Sequence, residues 1–132
     1  MSLMAVVAFT ATLSACSLDT VIWGTDGARV IDMTEQVIEA AASGEPDPLA
    51  CAGTTPDFGQ ARDWEALSAG EPERFHAEYW DKQVPLDPEW NINLEWGGPP
   101  PVSGQVIPGD VFFREDADGL CVVDISWSTV VG

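Results

Sequence analysis

The chain has 132 residues, of which 22 are Asp or Glu and five are Lys or Arg, so its formal net charge is −17. A surplus of acids this large excludes a nucleic-acid-binding surface, which needs clustered Lys and Arg to neutralise phosphates, and it disfavours docking on anionic lipid headgroups. Hydrophobic residues make up 45% of the chain, which is too many for a disordered acidic tail and enough for one domain with a packed core.

The first element along the chain is an uncharged, mostly apolar segment of twelve residues from Met4 to Ala15. It is too short for a membrane-spanning helix, which needs about 20 apolar residues, but it fits the apolar part of an export signal, which runs roughly 7–15 residues. The segment ends in Leu13-Ser14-Ala15-Cys16, which resembles the lipobox of bacterial lipoproteins. This resemblance implies cleavage before Cys16 and attachment of diacylglycerol to its thiol. The alternative is a buried first helix or strand.

The lipobox divides the chain into three parts. Residues 1–15 are interpreted as a signal-peptide remnant or an added leader, residues 16–27 as the lipidated cysteine and a tether, and residues 28–132 as a single α+β domain. The lipid is expected to hold this domain on the outer face of the cell membrane. Because one acyl chain binds only marginally and the acidic body is repelled by anionic headgroups, the anchor needs both chains of the diacylglyceryl group.

The three cysteines are an odd number, which calls for an explanation in an exported protein. If Cys16 carries the lipid, Cys51 and Cys121 remain as a pair, and an oxidising compartment would keep them as a disulfide. The alternative is two buried free thiols. The composition, with four Arg to one Lys, is typical of a GC-rich source such as an actinobacterium.

Three helices are predicted in the first part of the domain. The first spans about residues 30–43, where apolar side chains recur at helical spacing while Glu35 and Glu39 are expected to face away from the core. The second is predicted over residues 58–69 and the third over residues 72–80, each preceded or ended by Gly or Pro.

Beyond these helices the sequence changes to the period of β-strands. Residues 89–96 alternate strictly between polar and apolar, which predicts a half-buried strand. Further strands are predicted over residues 110–114, with residues 105–107 joined to them across a bulge, and over residues 120–130. An Asp-Gly turn at residues 116–119 connects the last two as a hairpin. Helices followed by an antiparallel meander indicate the α+β class.

One segment in the helical part resembles a known superfamily. Residues 39–45, running into Leu49-Ala50-Cys51, resemble the first helix and turn of nuclear transport factor two-like lipoproteins of the cystatin-like cone superfamily, and the element order is similar. The resemblance implies N-terminal helices packed on a curved antiparallel sheet of three to four or more strands. It also implies a cone-like pocket between the helices and the sheet.

Few residues carry a signal for chemistry. His76 is the only histidine and a weak catalytic candidate as a general base, whereas the simpler interpretation is a partly exposed helix residue. No metal site and no cofactor are predicted, because one His and a paired set of cysteines leave too few ligands for zinc. The aromatic candidates for lining a pocket are Trp23, Tyr79, Trp80 and Trp127.

Three functional interpretations remain open. The leading one is an exported, lipid-anchored envelope protein that acts as a small binding or interaction module for a small ligand or an envelope protein, with its acids excluding anions. The second is a small hydrolase or isomerase that uses His76 or a carboxylate in the pocket between helices and sheet. The third is a halophile-type protein whose acids serve only to hold water.

Overall fold

The fold was taken from a computed structural model that describes the backbone of residues 7–131 and the side chains of residues 21–131. Its elements are helix α1 (Val7–Ala42) and strands β1 (Leu67–Arg74), β2 (Trp90–Trp96), β3 (Val106–Asp116) and β4 (Gly119–Thr129), with short 3₁₀ helices at Asp47–Leu49, Ala61–Trp64 and Val84–Leu86. The α-helix precedes all four strands, so the predicted α+β class is confirmed.

Helix α1 is divided at Gly24. This glycine has φ 77° and ψ 172°, a backbone conformation that interrupts helical geometry and that residues with a Cβ rarely adopt. The predicted helix over residues 30–43 lies in the part after the kink. Residues 16–27, interpreted above as lipidated cysteine and tether, also lie within α1. The side chain of Cys16 is outside the described side chains, so its lipidation stays a prediction.

The four strands form one antiparallel sheet in the order β1-β2-β3-β4. The strand predicted over residues 89–96 is confirmed as β2, and the two segments predicted around residues 105–114 form the single strand β3. The register of β3 against β4 shifts between Pro108 and Asp110, where the sequence predicts a bulge. The hairpin at residues 116–119 is also confirmed, with Asp116 paired to Gly119 across the turn.

The helices predicted over residues 58–69 and 72–80 are wrong. Only Ala61–Trp64 is helical in this region, as one 3₁₀ turn, and β1 occupies Leu67–Arg74. The physical reason is that β1 pairs with the edge of β2 along most of its length, so backbone hydrogen bonding in the sheet outweighs the local helix propensity of an Ala-containing segment.

The main hydrophobic core lies between α1 and one face of the sheet. It consists of buried side chains from α1, from β2 to β4, and from the 3₁₀ helix Ala61–Trp64 and the loop before it, namely Val30, Ile31, Val37, Ala41, Phe58, Trp64, Ile92, Val111, Phe113, Val122 and Ile125. The opposite face carries a smaller core, made of Cys51, Phe112 and Val123 with Phe75, Trp80, Leu86 and Cys121 packed around them. Alternation along β3 explains the division, because successive side chains point to opposite faces of a strand.

An ion-pair network connects residues 26–29 of α1, which follow the kink at Gly24, to the sheet. Arg29 donates two hydrogen bonds to the carboxylate of Glu115, the shorter at 2.7 Å. Arg74 reaches Asp26 at 3.3 Å and stacks over the ring of Trp90 at 4.2 Å. The Arg29 guanidinium lowers the pKa of the Glu115 carboxyl, because the hydrogen bond favours its charged form.

The predicted disulfide between Cys51 and Cys121 is confirmed. It joins the segment after α1 to β4, where the backbone N–H of Cys51 also donates to the carbonyl of Val122 at 2.8 Å. Disulfides persist in oxidising compartments, so this bond indicates an extracytoplasmic environment. Among the described residues, none of the helices combines the length and the apolar character that crossing a membrane requires.

Candidate functional site

The four aromatic residues predicted to line a pocket lie in separate places. Trp23 and Trp127 are half-buried against the main core, whereas Trp80 packs on the other face of the sheet with its ring 4.9 Å from that of Phe112. The Tyr79 side chain is 74% exposed. Of the four, Trp127 lines a hollow, together with Asp57 and Asp63.

His76, the weak catalytic candidate, lies in the turn after β1 instead of on a helix. Its side chain is 52% exposed, its Nδ1 lies 3.8 Å from the carboxylate of Glu78, and its ring meets that of Tyr79 edge to face. These surroundings match a surface histidine in contact with solvent and an acidic neighbour.

A group of potential metal ligands occurs at the disulfide. Sulfur atoms of Cys51 and Cys121 and a carboxylate oxygen of Asp116 lie within 4.8 Å of one another. Both sulfurs are bonded to each other, and Arg114 Nε donates to Asp116 at 3.0 Å. The thiolates that would bind a soft metal are thus consumed, and the carboxylate is already paired.

The hollow with the most distinctive chemistry lies between α1 and β1, and we call it the acidic groove. Its volume is about 390 Å³. The lining residues are Glu35, Ile38, Glu39 and Ala42 of α1, Trp64 and Glu65 of the 3₁₀ segment, and Leu67 and Ser68 of β1.

The apolar part of the acidic groove includes the side chain of Trp64, whose position is fixed by burial and by a hydrogen bond. Trp64 is fully buried, and its indole Nε1 donates to the carbonyl of Phe58 at 2.7 Å, which fixes the orientation of the ring. Ile38 and Leu67 are half-buried and pack against the main core, of which Trp64 is a part. A ligand would therefore meet a preformed apolar surface.

The charged part of the groove consists of Glu35, Glu39 and Glu65, whose side chains are exposed. Among the described side chains, no ion pair or hydrogen bond involves any of the three. Glu35 and Glu39 are four residues apart on one helix face, a spacing at which like charges destabilise a helix. Glu39 also lies in the last turn of α1, which contains no basic residue, so its charge adds to the negative end of the helix dipole.

Some carboxylates in the other hollows have partners, in contrast to the three glutamates of the acidic groove. In the hollow beside the disulfide, Asp116 is paired with Arg114. In the hollow beside Trp127, the carboxylates of Asp57 and Asp63 accept backbone N–H groups at 3.0 and 2.8 Å. Asp118 also lines the hollow beside the disulfide and, like the glutamates of the acidic groove, has no partner among the described side chains. What distinguishes the acidic groove is that three such carboxylates surround one apolar surface.

Sequence reasoning missed the acidic groove. It placed Glu35 and Glu39 on the outward face of a helix, which is correct, but it assigned Glu65 and Leu67 to a second helix. Once those two residues belong to a 3₁₀ segment and a strand, they come next to α1. The signal that could have found the site is the pair of glutamates near the end of a helix that has no basic residue in its last turn.

Comparison with known proteins finds no family model, no curated protein and no solved structure that matches this chain. Neither an activity nor a ligand can therefore be carried over from a relative. What bears on function is the chemistry of the groove and of the disulfide.

Proposed function

We propose that this protein is an exported, lipid-anchored binding module that captures a ligand carrying a positive charge next to an apolar group. The observation that carries the proposal is the acidic groove, in which Glu35, Glu39 and Glu65 surround an apolar surface and have no cationic partner among the described residues. Unpaired like charges cost stability, and a cationic ligand removes that cost when it binds.

The expected strength of binding follows from the two parts of the groove. Burying about 100 Å² of apolar ligand surface contributes roughly 2.5 kcal/mol, and each exposed charge pair adds about 0.2–1 kcal/mol. Together these correspond to dissociation constants near 1 mM for a small probe, and tighter for a larger natural ligand. Anions of the same shape are excluded by repulsion from three carboxylates.

The proposed location has separate support. The disulfide between Cys51 and Cys121 fits a protein outside the cytoplasm. The sequence Leu13-Ser14-Ala15-Cys16 resembles a lipobox, and lipidation at Cys16 would provide attachment that the net charge of −17 opposes on anionic headgroups. The module would then present its groove at the outer surface of the membrane.

The anchor is tested by mass spectrometry of the full chain expressed in a bacterial host that processes lipoproteins. We expect a protein that begins at Cys16 and carries a diacylglyceryl group, and Cys16→Ala should stay unprocessed. An intact Met1 terminus with an unmodified Cys16 in membrane fractions of that host would contradict the anchor and leave the groove proposal standing.

The groove is tested with octylammonium as a cationic amphiphilic probe, below its micelle concentration, and with octanoate as the anionic counterpart. NMR titration should show saturable shifts at the methyl groups of Ile38 and Leu67 for octylammonium and none for octanoate. Neutralising the groove with Glu35→Gln, Glu39→Gln and Glu65→Gln together should weaken binding about tenfold, since several charge pairs are lost.

A matched control separates the groove from the general charge of the protein. The variant Glu71→Gln, Asp81→Asn and Glu95→Gln removes the same number of charges at exposed positions outside the groove. It should bind octylammonium as the wild type does. Equal weakening in both triple variants would contradict a specific site, because binding would then depend on net charge alone.

A further inference from the structure

The hollow beside Trp127, which we call the tryptophan hollow, shares no lining residue with the acidic groove. Its walls come from the loop and the 3₁₀ helix within residues 57–63, from Val106 of β3 and from Trp127 of β4. Its volume is about 470 Å³, which falls within the range of small-molecule sites. Segments that are distant in the chain therefore converge on one hollow of suitable size.

The apolar wall of the tryptophan hollow consists of Trp127 and Val106. Trp127 is half-buried and packs against the main core, and its indole Nε1 donates to the backbone carbonyl of Asp57 at 2.9 Å. Val106 is 50% exposed, so the wall is open to solvent on one side. The indole ring is thus held in place before a ligand arrives, which lowers the ordering cost of binding.

The loop of the tryptophan hollow lies directly against the indole ring. Gly59 makes this possible, because it has φ 65° and because a Cβ at this position would overlap the six-membered ring of Trp127. The loop is also fixed by its own acids, since Asp57 accepts the backbone N–H of Gly59 at 3.0 Å and Asp63 accepts that of Gln60 at 2.8 Å. The ring and the loop form one preformed unit.

Hydrogen-bonding groups of both kinds surround this unit. Asp57 uses Oδ1 and Asp63 uses Oδ2 for the loop, which leaves the second oxygen of each carboxylate without a partner among the described residues. Arg62 is exposed, and no ion pair or hydrogen bond between described side chains involves its guanidinium. The hollow therefore offers free carboxylate acceptors together with the N–H donors of a guanidinium.

The free state of Arg62 is unusual in this acidic chain. The other three arginines, Arg29, Arg74 and Arg114, each form an ion pair with a carboxylate. Arg62 lines the same hollow as two carboxylates, yet both of these are directed to the loop. Its guanidinium is thus available to a ligand.

The combination of these groups favours a neutral, hydroxylated ring. An anion is repelled by two carboxylates, and a cation is repelled by Arg62. A purely apolar ring would desolvate the polar groups without giving them partners. A pyranose sugar has C–H groups on its flat side, which suit the negative π face of an indole, and hydroxyls around its edge, which donate to carboxylates and accept from a guanidinium.

We propose that the tryptophan hollow binds one neutral pyranose unit of a polysaccharide, with the sugar ring packed on Trp127 and its hydroxyls bonded to Arg62 and to the free oxygens of Asp57 and Asp63. Gly59 and the residues at the rim are exposed, so the rest of the polysaccharide can continue into solvent. This site adds a second ligand class to the proposed function and does not depend on the acidic groove.

The test is an NMR titration of the full-length oxidised protein with cellotetraose, mannotetraose and chitotetraose, three neutral oligosaccharides. Concentrations reach about 10 mM, because we expect an open site to bind with a dissociation constant of at most about 1 mM. At least one of the three should shift the indole N–H signal of Trp127 and the backbone N–H signal of Gly59 saturably. Tetragalacturonate, which carries a carboxylate on each unit, should shift them no more than NaCl does.

Two variants with matched controls assign the binding to the hollow, with the Gly59 signal as the measurement. Trp127→Phe has a smaller ring and should weaken binding about three- to tenfold. Its control is Trp96→Phe, which changes another half-buried tryptophan that donates its indole N–H to a loop carbonyl, outside the hollow. Arg62→Gln should also weaken binding about three- to tenfold, because hydrogen bonds from a charged group are lost. Its control, Lys82→Gln, removes the same charge at an exposed position elsewhere. Both controls should bind as the wild type does.

The proposal is overturned by any of three results. The first is the absence of a saturable shift of the Trp127 indole signal with all three neutral oligosaccharides. The second is unchanged binding in both Trp127→Phe and Arg62→Gln, which would place the sugar elsewhere. The third is binding of tetragalacturonate as tight as that of the neutral sugars. Binding of octylammonium in the acidic groove is expected whichever result is obtained, so the two proposals fail separately.

Discussion

The two faces of the sheet differ in how they are covered and in what they leave open. One face packs against α1 through a continuous apolar core that includes Val111 and Phe113. The other face is covered at one end by Cys51 and by the segment after β1, which pack around Phe112. Its remaining part carries Glu73 and Asp110, whose carboxylates accept hydrogen bonds from the side chain of Asn91. The contrast arises within single strands, because successive residues of β2 and β3 point to opposite faces.

The two faces therefore differ in how much apolar surface they bury for stability and in where they leave polar groups open for recognition. The face under α1 buries apolar side chains and leaves polar chemistry only at its margin, where the acidic groove lies. The opposite face keeps a polar, partly open surface at the cost of a smaller core that needs a disulfide beside it. Four predictions test how far the two faces differ, in order of decreasing expected effect.

The largest effect is expected for truncating the adjacent phenylalanines of β3, both of which are fully buried. Phe113→Ala and Phe112→Ala should each lower the free energy of unfolding by about 3–5 kcal/mol, with Phe113 at the upper end because it lies in the larger core. Urea denaturation of both variants measures the two values. A larger loss for Phe112 would mean that the smaller core contributes more to stability than its size indicates.

The second prediction concerns the disulfide that borders the smaller core. Replacing Cys51 and Cys121 by Ala removes a cross-link with a sequence separation of 70 residues, for which the loop-entropy estimate is about 4 kcal/mol. Hydrogen exchange should accelerate first in the segment around Trp80, and later in α1. The control is Cys16→Ala, which keeps the disulfide and should leave the stability of the domain unchanged.

The third prediction uses pH to compare the faces. The pKa of Asp110 is raised in the folded protein, so the folded state binds more protons than the unfolded state just above the ordinary pKa of the group. This carboxyl therefore makes the protein less stable as pH rises through that window. The pKa of Glu115 is lowered by Arg29, so its contribution has the opposite sign and is lost as pH falls.

Urea denaturation between about pH 3 and pH 7 separates these contributions. Asp110→Asn should be more stable than the wild type at neutral pH, and this advantage should shrink toward acid. Glu115→Gln should be less stable than the wild type at neutral pH, and that difference should also shrink toward acid. An Asp110→Asn variant that is less stable at neutral pH would mean that the charged carboxylate is favourable beside Asn91 and Glu73.

Strands β2 and β3 could be predicted from the sequence, whereas β1 could not, and the difference has a physical reason. Alternation identified β2 and the parts of β3 because apolar side chains pointing to α1 repeat with the period of a strand. Leu67–Arg74 has no such alternation, because Gly70 and Pro72 interrupt it. Its place in the sheet is set by pairing with β2, which local sequence does not encode.

The acidic groove could not be predicted from the sequence because one segment has a different structure from the predicted helix. Glu65 joins the acidic groove, and Glu73 comes next to Asn91, only when the segment that contains them is a 3₁₀ turn followed by β1. The disulfide could be predicted because it follows from counting: Cys16 matches a lipobox, which leaves two cysteines. Pairs of acids cannot be found by counting in a chain with 22 of them, since most pairs of that kind are coincidental.

The smallest effect is expected at the margin of the face under α1. Glu39→Gln removes a negative charge from the last turn of α1 and from the pair with Glu35, so it should raise the free energy of unfolding by about 0.3–0.5 kcal/mol. The same variant should bind octylammonium more weakly, because it loses one of three groove carboxylates. Glu95→Gln, on a strand and outside the groove, should change neither quantity. If Glu39→Gln is more stable and binds more weakly, this part of the helix gives up stability for recognition. If the variant is less stable, Glu39 has a structural partner, and the groove is not a site built around unpaired charge.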